Sequence, residues 1–302
     1  WSRGFDLRFP RQAIHAQAPQ LLPARYNSCN TNIDSFIDLP STINGLQTDS
    51  VLVIGFRVVS QLQPTIFQNT AASAFNPQNF VAGAANQPPA IPYGHRPAIF
   101  GSYVYLPNLV GSSFWEHTGA TGTLGPSQDA RWFSVAAGRM LFGFGRDKLR
   151  SVAINADPRA TANYSATINV GNGLFRSEDA IPVEDQLFVG LPDGAYAGNL
   201  TGTFNNVLSD IGLVTDEDNC RDLAAFQGGL LAAQGPHIWW YKPSTGGNAE
   251  LREVGPSGLF ANRSYVRGRF TCVKGYGKWA YAGLFTGSGS VFMVGRDASP
   301  PL

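Results

Sequence analysis

An all-β fold is what this 302-residue sequence predicts, on a recurring strand–turn–strand phrase, a wealth of glycine and proline, and almost no helical periodicity. The phrase reads WFSVAAGRMLFGFGRDKLRSVAI from Trp132, QLFVGLPDGAYAGNL from Gln186, LAAFQGGLLAAQGPHIWWYKP from Leu223 and WAYAGLFTGSGSVFMVGRD from Trp279. Each copy turns on a short glycine-bearing step: Ala137-Gly138, Asp193-Gly194, Gly228-Gly229 and Gly287-Ser288-Gly289. Tight hairpin turns often demand φ > 0, which glycine adopts without steric cost. Three or four short strands repeated every ~40–50 residues is the pattern of a β-propeller blade. The predicted fold is therefore all-β, with propeller-like repeats in the C-terminal part and an irregular, strand-containing N-terminal region.

Taken in order, residues 1–45 read as irregular, because Pro10, Pro19, Pro23 and Pro40 interrupt helix and Asn27 to Asn32 forms a polar, turn-like cluster. Val51 to Val59 (VLVIGFRVV) is the strongest strand of the first third. Gln61 to Pro97 is rich in Asn, Gln, Ala and Pro and reads as a long connection of the interface-forming kind. Gly101 to Val110 gives another strand, and Gly119 to Gln128 a glycine-rich turn. Four units follow, at about 129–175, 176–214, 215–260 and 261–297. The expected organisation is a docking region over 1–128 and propeller blades over 129–302. Either strands within 51–110 complete the ring or it stays incomplete.

Charged residues make up only 14% of the chain and the formal net charge is +1. No basic stripe exists for counterion release, so nucleic acid is not an expected partner. Sparse charge also points to a surface covered by neighbours. The 18 Arg against 4 Lys suit interface hydrogen bonding, although GC-rich coding explains the same skew. Cys29, Cys220 and Cys272 lack zinc-site spacing and are expected as free thiols from a reducing compartment. No apolar run is long enough to span a bilayer. The start at Trp1 and the end at Pro300-Pro301-Leu302 lead to the expectation of a processed chain, or a portion of a longer product.

Residues that could carry chemistry are scattered. His15, His95, His117 and His237 form no metal-binding pair, and no nucleophile elbow, Walker loop or dinucleotide fingerprint occurs. Asp216-Glu217-Asp218, with Asp210 and Asp222, offers oxygen ligands without calcium-loop spacing. Glu178, Asp179, Glu184 and Asp185 could supply a glycosidase pair, which different blades could equally provide. These acids are expected as solvated connections. No catalytic, cofactor-binding or metal-binding residue is assigned, no cofactor is expected, and the chain is expected not to be an enzyme. Trp239 and Tyr241 should face one side of a strand and Trp240 the other, all three as core. Tyr276, set between Gly275 and Gly277, is the one candidate for glycan contact.

The run FANRSYVRGRFTCVKGYGKWAYAGLFTGSGSVFMVGRD from Phe260 resembles blade sequences of β-propeller virion proteins of tailed bacteriophages, including tail, minor tail and baseplate proteins. The likeness lies in Gly277-Lys278-Trp279, the Tyr281-Ala282 strand, the polar turn and the closing Gly295-Arg296, and its style extends over about 129–297. It implies a structural, homo-oligomeric component of a virion at the tail tip, baseplate or fibre, assembled in the host cytoplasm and docked on other tail proteins or facing a host surface glycan. The alternative is an extracellular carbohydrate-binding propeller, or less simply a carbohydrate-cleaving one.

Overall fold

The computed structural model describes residues 5–6, 14–15, 31–39, 50–58, 62–69, 75–77, 96–107, 113–117, 122–124, 128–209, 215–244, 249–254, 268–285 and 290–296. Among these there is no α-helix, so none is long and apolar enough to cross a membrane. Strands β1 (Phe5–Asp6) and β2 (Ile14–His15) pair with each other. Six antiparallel meanders follow.

Sheet I holds β3 (Thr31–Leu39), β4 (Ser50–Val58), β5 (Leu62–Asn69) and β6 (Phe75–Pro77). Sheet II holds β7 (Ala98–Phe100), β8 (Tyr103–Leu106), β9 (Trp115–His117) and β10 (Gly122–Leu124). Sheet III holds β11 (Trp132–Ala136), β12 (Arg139–Phe144), β13 (Lys148–Ala153) and β14 (Ile168–Asn169). Sheet IV holds β15 (Asp179–Val183), β16 (Gln186–Leu191), β17 (Gly194–Gly198) and β18 (Asn205–Asn206). Sheet V holds β19 (Leu223–Phe226), β20 (Gly229–Gln234), β21 (His237–Lys242) and β22 (Glu250–Glu253). Sheet VI holds β23 (Arg269–Tyr276), β24 (Trp279–Phe285) and β25 (Ser290–Arg296).

The first strands of sheets II to VI lie side by side in sequence order, β7 against β11, then β15, β19 and β23. This is propeller-like stacking: sheets face one another and their first strands line a common axis. An apolar layer fills each gap, because alternate residues of one strand serve opposite neighbours. Met140 and Phe142 pack toward sheet II with Tyr105 and Phe114, whereas Leu141 packs toward sheet IV with Leu187 and Val189. On β20, Leu230 and Ala232 face sheet IV, while Leu231 and Ala233 face sheet VI. A strand buried on both faces reads as a continuous apolar run, which is why GLLAAQ carries no polar alternation.

The sequence boundary at 128/129 falls inside this stack. Sheet II lies ahead of it, yet has the four-strand meander of sheets III to V and shares a core with sheet III through Phe100, Tyr105 and Phe133. Its strands are only three or four residues long, too short to display a period. Part of the connection expected over Gln61 to Pro97 is also ordered into β5 and β6. Pro64 is accommodated there because β6 pairs only with Phe67 to Asn69, leaving that side of Pro64 without a β6 partner.

A meander places its first-to-second turns at one end of the stack and its second-to-third turns, with the sheet-to-sheet connections, at the other. The latter is called here the leading end, where each first strand begins; the former is the trailing end. Trailing turns are tight: Ala137 and Gly138 have φ of 48° and 69°, and Gln227 and Gly228 have 50° and 69°, the paired positive φ of a type I′ hairpin.

Candidate functional site: a charged cluster at the leading end of the axis

Arg96 precedes β7, and its guanidinium crosses to sheets IV and V. Its Nη2 donates to Asp179 Oδ2 at 2.8 Å and to the Leu223 carbonyl at 2.5 Å, and lies 3.5 Å from Asp222 Oδ1. The Arg96 carbonyl accepts the Phe133 amide at 2.7 Å, which adds sheet III. Asp179 opens β15 with Oδ1 accepting the Ala180 amide at 2.8 Å and Oδ2 the Leu223 amide at 2.9 Å. Asp222 Oδ2 accepts the Val273 amide of β23 at 2.9 Å. One arginine and two aspartates thus tie five consecutive sheets together.

Burial dominates the electrostatics. The Asp179 side chain is 1% exposed, while those of Arg96 and Asp222 retain 28% and 27%. Loss of water raises the Asp179 carboxyl to about 7; Arg96 opposes that rise and Asp222 adds to it. Asp222 is raised as well, again chiefly by burial. Next along the chain, Glu178 turns to a different partner: both its oxygens accept from Arg131 Nη2, at 3.0 and 3.1 Å. Burial raises Glu178 and Arg131 counters it.

The acids named from sequence therefore separate. Glu178 and Asp179 lie at the leading end, bound to Arg131 and Arg96, whereas Glu184 and Asp185 are exposed at the trailing β15–β16 turn. Within the 215–222 connection, expected to be solvated, Asp218 is instead held by Arg221 at 2.8 Å and by Arg269. Asp222 is part of the axial cluster, and Asp210 lies outside the described residues. No group of three or more His, Cys, Asp or Glu suited to a metal ion occurs among the described residues. Of the histidines, His237 Nδ1 lies 2.7 Å from Glu253 Oε1, His15 and His117 sit on β2 and β9, and His95 lies outside the described residues. Cys220 and Cys272 are free thiols, and Cys29 lies outside the described residues.

The aromatic run divides by face. Trp239 and Tyr241 pack toward sheet IV and Trp240 toward sheet VI, and the Trp240 Nε1 donates to the Phe226 carbonyl of β19 in its own sheet at 2.9 Å. Tyr276 sits at the trailing end, last residue of β23 and 74% exposed, directly before the Gly277-Lys278 turn. It lies three residues beyond Val273, whose amide donates to Asp222, on the same strand. Arg96 was invisible in the sequence. A lone arginine before a three-residue strand carries no signal that its partners lie 83 and 127 residues away.

No family model matches the chain, and no curated protein does. Solved structures do match. Over 91% of this chain the fold follows the extracellular domain of BT4673 from B. thetaiotaomicron, with TM-score 0.57 and 13% identity, covering 33% of that chain. Raptor from Chaetomium thermophilum matches over 89% of this chain and 24% of its own, with TM-score 0.55 and 8% identity. A chain of the Mitotic Checkpoint Complex matches over 87% of this chain and 84% of its own, with TM-score 0.50 and 12% identity. The chain thus spans about a third of the BT4673 domain it matches. These likenesses concern the fold, and the class they define is an all-β, propeller-like stack of antiparallel sheets.

Proposed function

We propose that this chain is a structural and interaction component of a tailed-bacteriophage virion, at the tail tip, baseplate or fibre, acting without cofactor or turnover. The carrying observation is the use made of the axial carboxylates. At the axis of a propeller-like stack, paired acids could serve as acid and base. Here Asp179 spends both oxygens on backbone amides and Arg96, and Asp222 spends one on Val273 of the next sheet. Such groups stiffen a platform. The resemblance of residues 260–297 to virion blade sequences supports a place in the particle as a homo-oligomer, and the low charge supports a partner-covered surface.

Two measurements test this reading. Mass spectrometry of purified particles should find the chain at fixed stoichiometry with other tail proteins, and its absence from the particle would sink the virion role. Limited proteolysis should cut before Gly101 in the isolated protein and be suppressed in the assembled particle. Equal resistance in both would make the N-terminal region an ordinary part of the domain.

A second reading rests on Tyr276, an aromatic ring exposed at a turn apex and able to stack on a sugar. Under it, Tyr276→Ala should lower binding to a glycan surface by up to about tenfold, roughly the contribution of one stacked ring. Urea stability should stay within about 0.5 kcal/mol of the parent, because the side chain touches no core. Unchanged binding on a glycan array would remove this reading.

A further inference from the structure

Sheet VI is the last of the stacked sheets, and its two faces differ. Phe270, Val273, Ala282 and Leu284 pack toward sheet V, and a side chain at Gly275 would run into Ala225 and Phe226 of β19. Alternation therefore turns Lys274 and Tyr276 of β23, with Trp279 and Tyr281 of β24, to the far face. The register sets them in rows: Tyr276 lies opposite Trp279, and Lys274 opposite Tyr281. Such rows stand about 7 Å apart, two residues along a strand. Tyr276 and Lys274 are exposed, and Trp279 and Tyr281 are half-buried. The Gly277-Lys278 turn closes the first row with another exposed cation, and β25 places Arg296 opposite Trp279.

The charge on this sheet has one sign. Its three strands and the β23–β24 turn hold Arg269, Lys274, Lys278 and Arg296, with no Asp or Glu. Arg269 is taken up by Asp218. Asp222, the carboxylate near Lys274, already accepts the Val273 amide and lies beside Arg96. Two of the chain's four lysines thus stand exposed within five residues, on the face that carries the aromatic rows. Building on the glycan contact at Tyr276, we propose that the far face of sheet VI binds an anionic polysaccharide: Tyr276 and Trp279 stack on its sugar rings, and Lys274 and Lys278 meet its acidic substituents.

The two kinds of contact make separable demands. An aromatic ring offers an apolar face to the C–H side of a sugar, whatever the sugar's charge. The ammonium groups add charge-assisted hydrogen bonds to carboxylate or sulfate, and salt screens that part alone. Nucleic acid suits the face less well. Binding it draws on a basic groove that follows many phosphates, whereas Arg96, Arg131, Arg221 and Arg269 are each held by a carboxylate of this chain.

The test titrates the whole chain with two matched pairs of polymers: polygalacturonate beside its methyl ester, and dextran sulfate beside dextran. At low salt the chain should bind an acidic member roughly three- to thirtyfold tighter than its neutral counterpart, the range for two exposed ion pairs. Added salt should erase that advantage. Lys274→Gln with Lys278→Gln should erase it too, at an unchanged urea midpoint and with binding of the neutral polymer kept. Tyr276→Ala should weaken binding of both members, and Lys148→Gln, an exposed cation of sheet III, should alter neither. A preference below about threefold in both pairs overturns the charge assignment and leaves the Tyr276 contact standing if the neutral polymers bind. Binding of none of the four removes both. Tighter, lysine-dependent binding of a single-stranded oligonucleotide would give the face to nucleic acid. A dimer seen by ultracentrifugation in the parent but not in Tyr276→Ala would give it to a second copy. Either result overturns the proposal.

Discussion

Arg96→Met should destabilise the folded chain by about 3–5 kcal/mol at pH 8, the range seen when one partner of a buried ion pair is removed. Methionine keeps most of the apolar stem but withdraws the donors that serve Asp179 and the Leu223 carbonyl. Two carboxylates are then left facing each other with no guanidinium between them. Near pH 5 the loss should be smaller, because the raised Asp179 and Asp222 carboxyls escape the penalty by taking up protons. The measurement is urea unfolding followed by tryptophan fluorescence at both pH values. A loss below about 1 kcal/mol at pH 8 would mean that Arg96 behaves as an ordinary surface cation.

The parts of this fold that could be read from sequence were those written in local grammar. Glycine turns between apolar runs locate sheets III to VI, since a hairpin's partners are a few residues apart and its turn needs particular φ values, as at Ala137-Gly138. The split of Trp239 and Tyr241 from Trp240 was legible for the same reason: alternation is a property of one strand. Sheet II was legible only in part: Gly101 to Val110 reads as a strand and holds β8, but β7 and β9 are three residues long and no period can be seen in three residues. The axial cluster was less legible still. Glu178 and Asp179 are neighbours in sequence, yet the strand sends one to Arg131 and the other to Arg96. An acidic pair in the chain is thus two separate ion pairs in space. Asp216 and Glu217 are exposed, as the sequence reads, whereas Asp218 is held by Arg221 three residues on and by Arg269 of sheet VI, a partner that only the packing of sheet VI brings near.

Gly190→Ala should cost about 3 kcal/mol, at the upper end of overpacking penalties, although alanine suits a strand as well as glycine does. Gly190 is the penultimate residue of β16, paired with Asp179 on one side and Ala195 on the other. A methyl group there would overlap the Cys220 carbonyl and come within 3.2 Å of Cys220 Cβ. The obstacle is backbone, and it cannot swing aside. Cys220 is buried with φ of 51°, and its amide donates to the Ala233 carbonyl at 2.7 Å. Its neighbour Asn219 is clamped at both ends of its side chain, donating to the Pro192 carbonyl at 3.0 Å and accepting from the Gly235 amide at 2.9 Å. Relief would therefore have to come from parting sheets IV and V. Gly138→Ala provides the comparison: its Cβ meets nothing within 4 Å, and only the left-handed φ of 69° opposes it, a cost of about 1 kcal/mol. Urea unfolding of both variants separates close approach from backbone strain. If Gly190→Ala proves no more costly than Gly138→Ala, the 215–222 connection is not held against sheet IV as tightly as these bonds require.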